Sequence, residues 1–112
     1  VGSSFGGLAV AAALKERVKS RKVMVTLVSP VSKFYNVLGW VRSIAVPDFG
    51  ATMVGPPLTD FDWLTYVEGM VTEVKSDTKK VVVGEGDDAT EIAYDVLVLA
   101  TGSRHASKPL PG

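Results

Sequence analysis

Residues Val1-Gly2-Ser3-Ser4-Phe5-Gly6-Gly7-Leu8 form a run of small side chains that passes straight into the Ala-rich stretch Ala9 to Leu14. Such a turn most often holds a dinucleotide pyrophosphate. Residues without bulky side chains let backbone N–H groups approach phosphates closely, and the helix that follows directs its positive dipole end at the anion. A strand delivers a turn of this kind, and only Val1 stands ahead of it here. The expected fold is therefore α/β with its first strand missing, or reduced to one residue.

The pattern beyond the turn supports a parallel sheet. Gly7 to about Lys19 reads as a helix, with Leu8, Ala11, Ala12 and Leu14 on its apolar face and Lys15, Glu16, Arg17 and Lys19 towards its end. Val23 to Val28 is a continuous β-prone run, the mark of a strand buried on both faces. Pro30 closes it. Residues 33–57 scatter Phe34, Tyr35, Trp40 and Phe49 among Gly and Pro, with a short helix expected over Trp40 to Val46, stopped by Pro47. In an open α/β sheet, ligands bind outside the carboxyl ends of the strands, which puts these aromatics along the crevice wall.

A short strand is expected over Phe61 to Val67. Three further segments, Gly69 to Val74, Lys79 to Val83 and Thr90 to Ala93, alternate or punctuate as a three-stranded antiparallel meander. Val96 to Ala100 then reads as a second buried parallel strand, ending in the turn Thr101-Gly102-Ser103. The tail from Arg104 to Gly112, with Pro109 and Pro111, reads as a linker. Residues 1–103 are thus expected to be part of one nucleotide-binding domain, with 104–112 a linker after it.

Composition narrows the function classes. The 112 residues carry twelve Lys plus Arg and twelve Asp plus Glu, so no net charge favours nucleic acid or an anionic membrane. The absence of cysteine excludes disulfides, thiolate metal sites, iron–sulfur ligation and a redox cysteine pair within these residues. No apolar run reaches the roughly 18 residues of a membrane span, and no signal peptide or membrane anchor is visible.

The glycine turn, the meander, and Tyr94-Asp95-Val96-Leu97-Val98-Leu99-Ala100-Thr101-Gly102-Ser103 together resemble the FAD-binding domain of the pyridine nucleotide-disulphide oxidoreductase superfamily. Within it, Phe34-Tyr35-Asn36-Val37, Val41-Arg42-Ser43, Phe49-Gly50 and Gly69-Met70-Val71 are similar in order and spacing to the apoptosis-inducing-factor-like group that includes the ferroptosis suppressor protein. The likeness implies a Rossmann-like FAD/NAD(P)-binding domain in a flavoprotein, with residues 1–103 the N-terminal part of the FAD-binding domain and 104–112 leading towards an NAD(P)H-binding domain. That enzyme takes hydride from NADH or NADPH onto FAD and passes electrons to a quinone or another small acceptor. It also implies a cytoplasmic protein, with attachment to a membrane or mitochondrion left open.

The resemblance further assigns residues. Gly2, Ser3, Ser4, Phe5, Gly6 and Gly7 would lie on the FAD pyrophosphate, with Phe5 packing at the turn and Gly7 allowing close helix-to-strand contact. Arg42 falls on the family's FAD-contacting arginine, Val71 on a backbone contact to the adenine end, and Thr101 with Gly102 would close over the cofactor. Lys108 matches a family lysine only with a spacing two residues shorter. No catalytic acid or base and no metal ligand is recognisable.

Two positions depart from the family pattern. Ser4 stands where the second glycine of GxGxxG belongs, and its Cβ narrows the pyrophosphate space. Ser29 stands where an acidic residue binds the ribose hydroxyls, which loses charge-assisted strength on the order of 1 kcal/mol. Plainer readings stand beside these. Arg42 is by default a solvated charge, Phe34, Tyr35 and Trp40 packing residues, His105 a solvated side chain, and Asp87-Asp88 a wet hairpin tip. Two other functions also fit: a dehydrogenase domain binding NAD or NADP directly, with Ser29 and Lys33 suiting a 2′-phosphate, and a degenerate, non-enzymatic flavoprotein fragment.

Overall fold

The structure, a computed structural model, describes residues 1–103, the side chain of Pro47 aside; the linker, His105 and Lys108 lie outside the described residues. The first helix, α1, spans Phe5–Lys19 and so begins two residues before the predicted start. Ser4 is its N-cap, in extended geometry, which lets Phe5 and Gly6 enter the first turn. Gly7 and Ala11 are its buried residues, flanked by the half-buried Leu8, Leu14 and Val18. Ala12, expected on this face, is exposed.

The C-terminus of α1 closes in a Schellman motif. Lys22 N–H donates to Arg17 C=O (3.0 Å) and Arg21 N–H to Val18 C=O (2.8 Å), with Arg21 held at φ 57°. A chain reversal follows, and β1 begins at Thr26.

Strand β1 (Thr26–Ser29) pairs in parallel with β4 (Thr65–Glu68), in the register Thr26↔Thr65 to Ser29↔Glu68. Both strands are shorter than the sequence implies. Residues 23–25 lie outside the ladder and Met24 is 94% exposed, because β4 offers pairing only from Thr65 onward. Phe61 and Trp63, expected in a strand, instead follow a 3₁₀ turn at Leu58–Asp60 and pack with Leu27, Leu58 and Leu64.

The interval expected to be irregular is more ordered than that. Strand β2 (Lys33–Tyr35) pairs antiparallel with β3 (Val54–Pro57), and between them lie α2 (Trp40–Ala45) and a 3₁₀ segment, Pro47–Met53. The predicted short helix is therefore present, and it ends before Pro47 as proline requires. The meander is present too: β5 (Val71–Lys75), β6 (Lys80–Val83) and β7 (Thr90–Ala93) form a three-stranded antiparallel sheet. Its tip is a 3₁₀ turn, Gly86–Asp88, with Asp87 and Asp88 exposed.

Two apolar clusters lie on opposite sides of the parallel pair. Leu27, Leu58 and Leu64 pack with Leu8 of α1, while Val28, Val81 and Val83 join the sheet to the meander. Alternation along β1 separates the two clusters, since Leu27 and Val28 point to opposite faces.

The second buried parallel strand predicted over Val96 to Ala100 is a correction. No ladder forms there, and Val96 and Leu99 are 83% and 60% exposed. Its neighbour among the described residues is Val1 alone. The Val1 nitrogen donates to Val98 C=O (2.6 Å), Ala100 N–H donates to Val1 C=O (2.8 Å), and Gly2 N–H donates to Val28 C=O (2.8 Å). Val1 therefore stands between β1 and residues 98–100 in parallel register, and a single residue cannot extend a ladder.

Candidate functional site

The site is built around the turn that joins Val1 to α1. Gly2 sits at φ 102°, a region L side chains rarely enter, and a Cβ there would meet the Ala100 carbonyl oxygen. A Cβ on Gly7 would meet the Gly2 carbonyl oxygen. These two glycines are required by space, and they bring helix, turn and the 98–101 segment together. A Cβ on Gly6 would lie 3.4 Å from that of Ala100, an ordinary close contact.

The first intrahelical bond is Leu8 N–H to Ser4 C=O (3.0 Å), so the N–H groups of Phe5, Gly6 and Gly7 have no acceptor within α1. Ser4 makes no side-chain cap bond, and the first turn holds no acidic residue. An uncapped helix end with small residues around it is suited to a phosphate.

Ser3 and Ser29 are both buried and their hydroxyls lie 2.7 Å apart. Val31 N–H donates to Ser29 Oγ (3.3 Å), and Ser3 Oγ donates to Val31 C=O (3.4 Å). This fixes the proton order: Ser29 donates to Ser3. The three bonds close a ring that ties the turn to the end of β1, and Ser29, predicted to face a ribose, spends its hydroxyl inside it. Tyr66 adds a bond from its hydroxyl to Ser29 C=O (2.9 Å). Burial, then the charge of Glu68, pushes its phenol up, so it stays a donor at neutral pH.

Phe5 is 43% exposed and meets Phe34 edge-on, ring centres 5.1 Å apart, so β2 forms one wall beside the turn. On the other side a shallow groove of about 190 Å³ is lined by Val1, Val71, Thr72, Val74, Leu99 and Thr101. Val71 and Thr101, both singled out from sequence, therefore share one groove. A bulge in the β5–β6 register, between Val71 and Glu73, shapes it, with Thr72 Oγ1 bonding Gly84 C=O (2.7 Å). Gly102, at φ 74°, follows Thr101 at the surface.

Arg42 lies apart from this group in its contacts. It is exposed on α2, and its guanidinium stacks 5.0 Å from the centre of the Phe49 ring. Sequence reasoning missed Thr72, Leu99 and the Ser3–Ser29 bond. The bulge brings Thr72 to the groove and has no signature in the alternation of β5, while Leu99 arrives through the bonds that tie Val98 and Ala100 to Val1.

A parallel strand pair, a glycine turn opening a helix and a meander on the far face define a dinucleotide-binding α/β domain. The chain belongs to the pyridine nucleotide-disulphide oxidoreductase family, whose model matches residues 1–112. The domain is thus one of a flavin-dependent pyridine nucleotide oxidoreductase. Neither a curated protein nor a solved structure gives a significant match.

Proposed function

We propose that residues 1–103 are the FAD-binding segment of an NAD(P)H-dependent flavoprotein of the apoptosis-inducing-factor-like type, which delivers electrons to a quinone or another small acceptor. The observation that carries this reading is the turn at Gly2 to Gly7. Its glycines admit no Cβ at Gly2 or Gly7, and its helix end is uncapped, within a chain that the family model spans entirely. FAD, when bound, supplies the ring that accepts hydride from NAD(P)H.

The chain's own residues bind and orient. The free N–H groups of Phe5, Gly6 and Gly7 hold the pyrophosphate, and Ser4 narrows that space without closing it. Ser3 and Ser29 act through their mutual bond, keeping the turn at the right distance from β1. Val71 and Thr101 receive the adenine end in their shared groove, with Gly102 beside it. Arg42 supplies a cation to a phosphate or a polar flavin edge once it leaves Phe49. The cysteine-free sequence leaves no disulfide chemistry to these residues.

The engagement of Ser29 with Ser3 also weighs against the dehydrogenase alternative, which needs that hydroxyl for a 2′-phosphate. An absorbance spectrum of the protein purified from its host, repeated after anaerobic NADH and NADPH, tests the reading. Flavin bands that bleach with one nucleotide support it. A colourless protein that takes up no FAD favours the non-enzymatic fragment.

A further inference from the structure

Ser29 ends β1 with its hydroxyl already committed to Ser3 and Val31, so the place where an acid would bind a ribose offers no free group. The next strand outward carries one. Glu68 ends β4 and is the register partner of Ser29, which sets the two Cα atoms about 4.8 Å apart across the ladder. Side chains alternate along each strand: Leu27 and Tyr66 pack in the cluster that includes Leu8 of α1, whereas Val28 and Val67 pack in the other. Ser29 and Glu68 therefore fall on the α1 face, the side of the glycine turn. Tyr66 donates its hydroxyl to Ser29 C=O (2.9 Å), and burial first, then the charge of Glu68, pushes that phenol up. The carboxylate is thus close enough to act on a group bonded to the end of β1. Glu68 itself is exposed, and no ion pair among the described residues includes it. Gly69, at φ 154°, then turns the chain towards β5, which begins at Val71.

We propose that Glu68 binds the ribose hydroxyls of the adenine dinucleotide, in place of the acid that Ser29 replaces, and that it selects against a 2′-phosphate. This inference rests on the cofactor reading above. With the pyrophosphate on the turn and the adenine end at Val71, the ribose between them lies over the carboxyl ends of β1 and β4. A carboxylate has two acceptor oxygens and takes both vicinal hydroxyls of a ribose in charge-assisted bonds. The neighbouring hydroxyls are not available for this, since Ser29 is closed into its ring with Ser3 and Tyr66 donates to the backbone. The same negative charge repels a 2′-phosphate, so the site favours a ribose with both hydroxyls free. Sequence spacing points to Ser29 for this role, and only the parallel register with β1 brings Glu68 to it.

Amide NMR of the 112-residue chain, titrated with ADP and with 2′,3′-dideoxy-ADP, tests it, with the amides of Gly6 and Gly7 as reporters. The parent chain binds ADP about tenfold more tightly than the dideoxy compound, the worth of a charge-assisted bond. In Glu68→Ala that ratio falls to about twofold or less, whereas in Glu73→Ala, which removes the acid beside the Val71 groove, it stays near tenfold. Glu68 is exposed, so its variant keeps the melting midpoint of the parent. A ratio that survives Glu68→Ala, or is lost in Glu73→Ala instead, overturns the inference and leaves the cofactor reading standing. Turn amides that respond to neither ligand overturn the cofactor reading, and this inference falls with it. A second pair of ligands, AMP and adenosine 2′,5′-bisphosphate, reads the charge. The parent prefers AMP and Glu68→Ala loses that preference; a parent that prefers the bisphosphate overturns the inference.

Discussion

The ring of hydrogen bonds through Ser3, Ser29 and Val31 makes a quantitative prediction about how the glycine turn is held. Ser29→Ala removes the acceptor of Val31 N–H and the donor to Ser3 in one step, leaving buried polar groups short of partners. An orphaned buried group costs about 1–3 kcal/mol, so about 2 kcal/mol is expected. Ser3→Ala strands the Ser29 proton and removes the long 3.4 Å bond to Val31 C=O, and costs about 1 kcal/mol. The double variant removes both hydroxyls, so the penalty for an unpaired hydroxyl disappears and the total falls about 1 kcal/mol short of the sum. Urea unfolding of the four chains gives each term by linear extrapolation. For a domain of this size, 1 kcal/mol moves the melting midpoint by about 4–8 °C, well within reach of the assay. Losses that add to within about 0.5 kcal/mol would refute the reasoning, because independent sites behave that way.

Gly7→Ala should cost about 1–3 kcal/mol, since its Cβ meets a backbone carbonyl that cannot swing aside; a thermal melt followed by far-ultraviolet circular dichroism checks it. Arg21→Gly should stabilise by about 1 kcal/mol, because glycine takes the left-handed C′ position of the Schellman motif without strain, and the same melt reads the gain. Glu91 is held at about 2 by hydrogen bonds and charge from Lys75 and Lys80, both 2.6 Å away. Its folded pKa lies below the unfolded one, so its contribution is present above about pH 4.5 and is lost as pH falls towards about 2. A carboxyl NMR titration should find a midpoint near 2. Added salt should raise it, since the pair is exposed.

Much of the fold was legible because its signals are local. The glycine turn needs glycine at Gly2 and Gly7 for reasons of space, and the meander announces itself through Lys75-Ser76-Asp77-Thr78 and Gly84 to Asp88. What was not legible depends on partners distant in the chain. Val23 to Val25 and Val96 to Ala100 have the composition of buried strands, yet composition states a preference and a ladder requires a neighbour. Where β4 starts at Thr65, and where Val1 stands alone, that neighbour is lacking among the described residues. Phe61 and Trp63 misled for a related reason. Aromatic residues suit strands and cores alike, and the 3₁₀ turn at Leu58 committed them to the core.

Of the residues picked out from the sequence, Gly2 and Gly7 stand where no Cβ fits, and Val71 and Thr101 line one groove. Ser29 was read as a ribose ligand because its place in the sequence is that of the family's acid. Its contact with Ser3 spans 26 residues of chain, and no spacing rule encodes it. Arg42 shows the converse, a residue flagged by likeness whose contact in the structure is the ring of Phe49.

The central claim is that the turn at Gly2 to Gly7 and the start of α1 hold the pyrophosphate of FAD. Amide NMR of the chain, titrated with FAD to millimolar concentration, tests it most directly. The account predicts saturable shifts at Gly2, Ser4, Phe5, Gly6 and Gly7, joined by Val71 and Thr101, even where the affinity is weak. Shifts confined to other surfaces, or none at those amides while the chain remains folded, would contradict it.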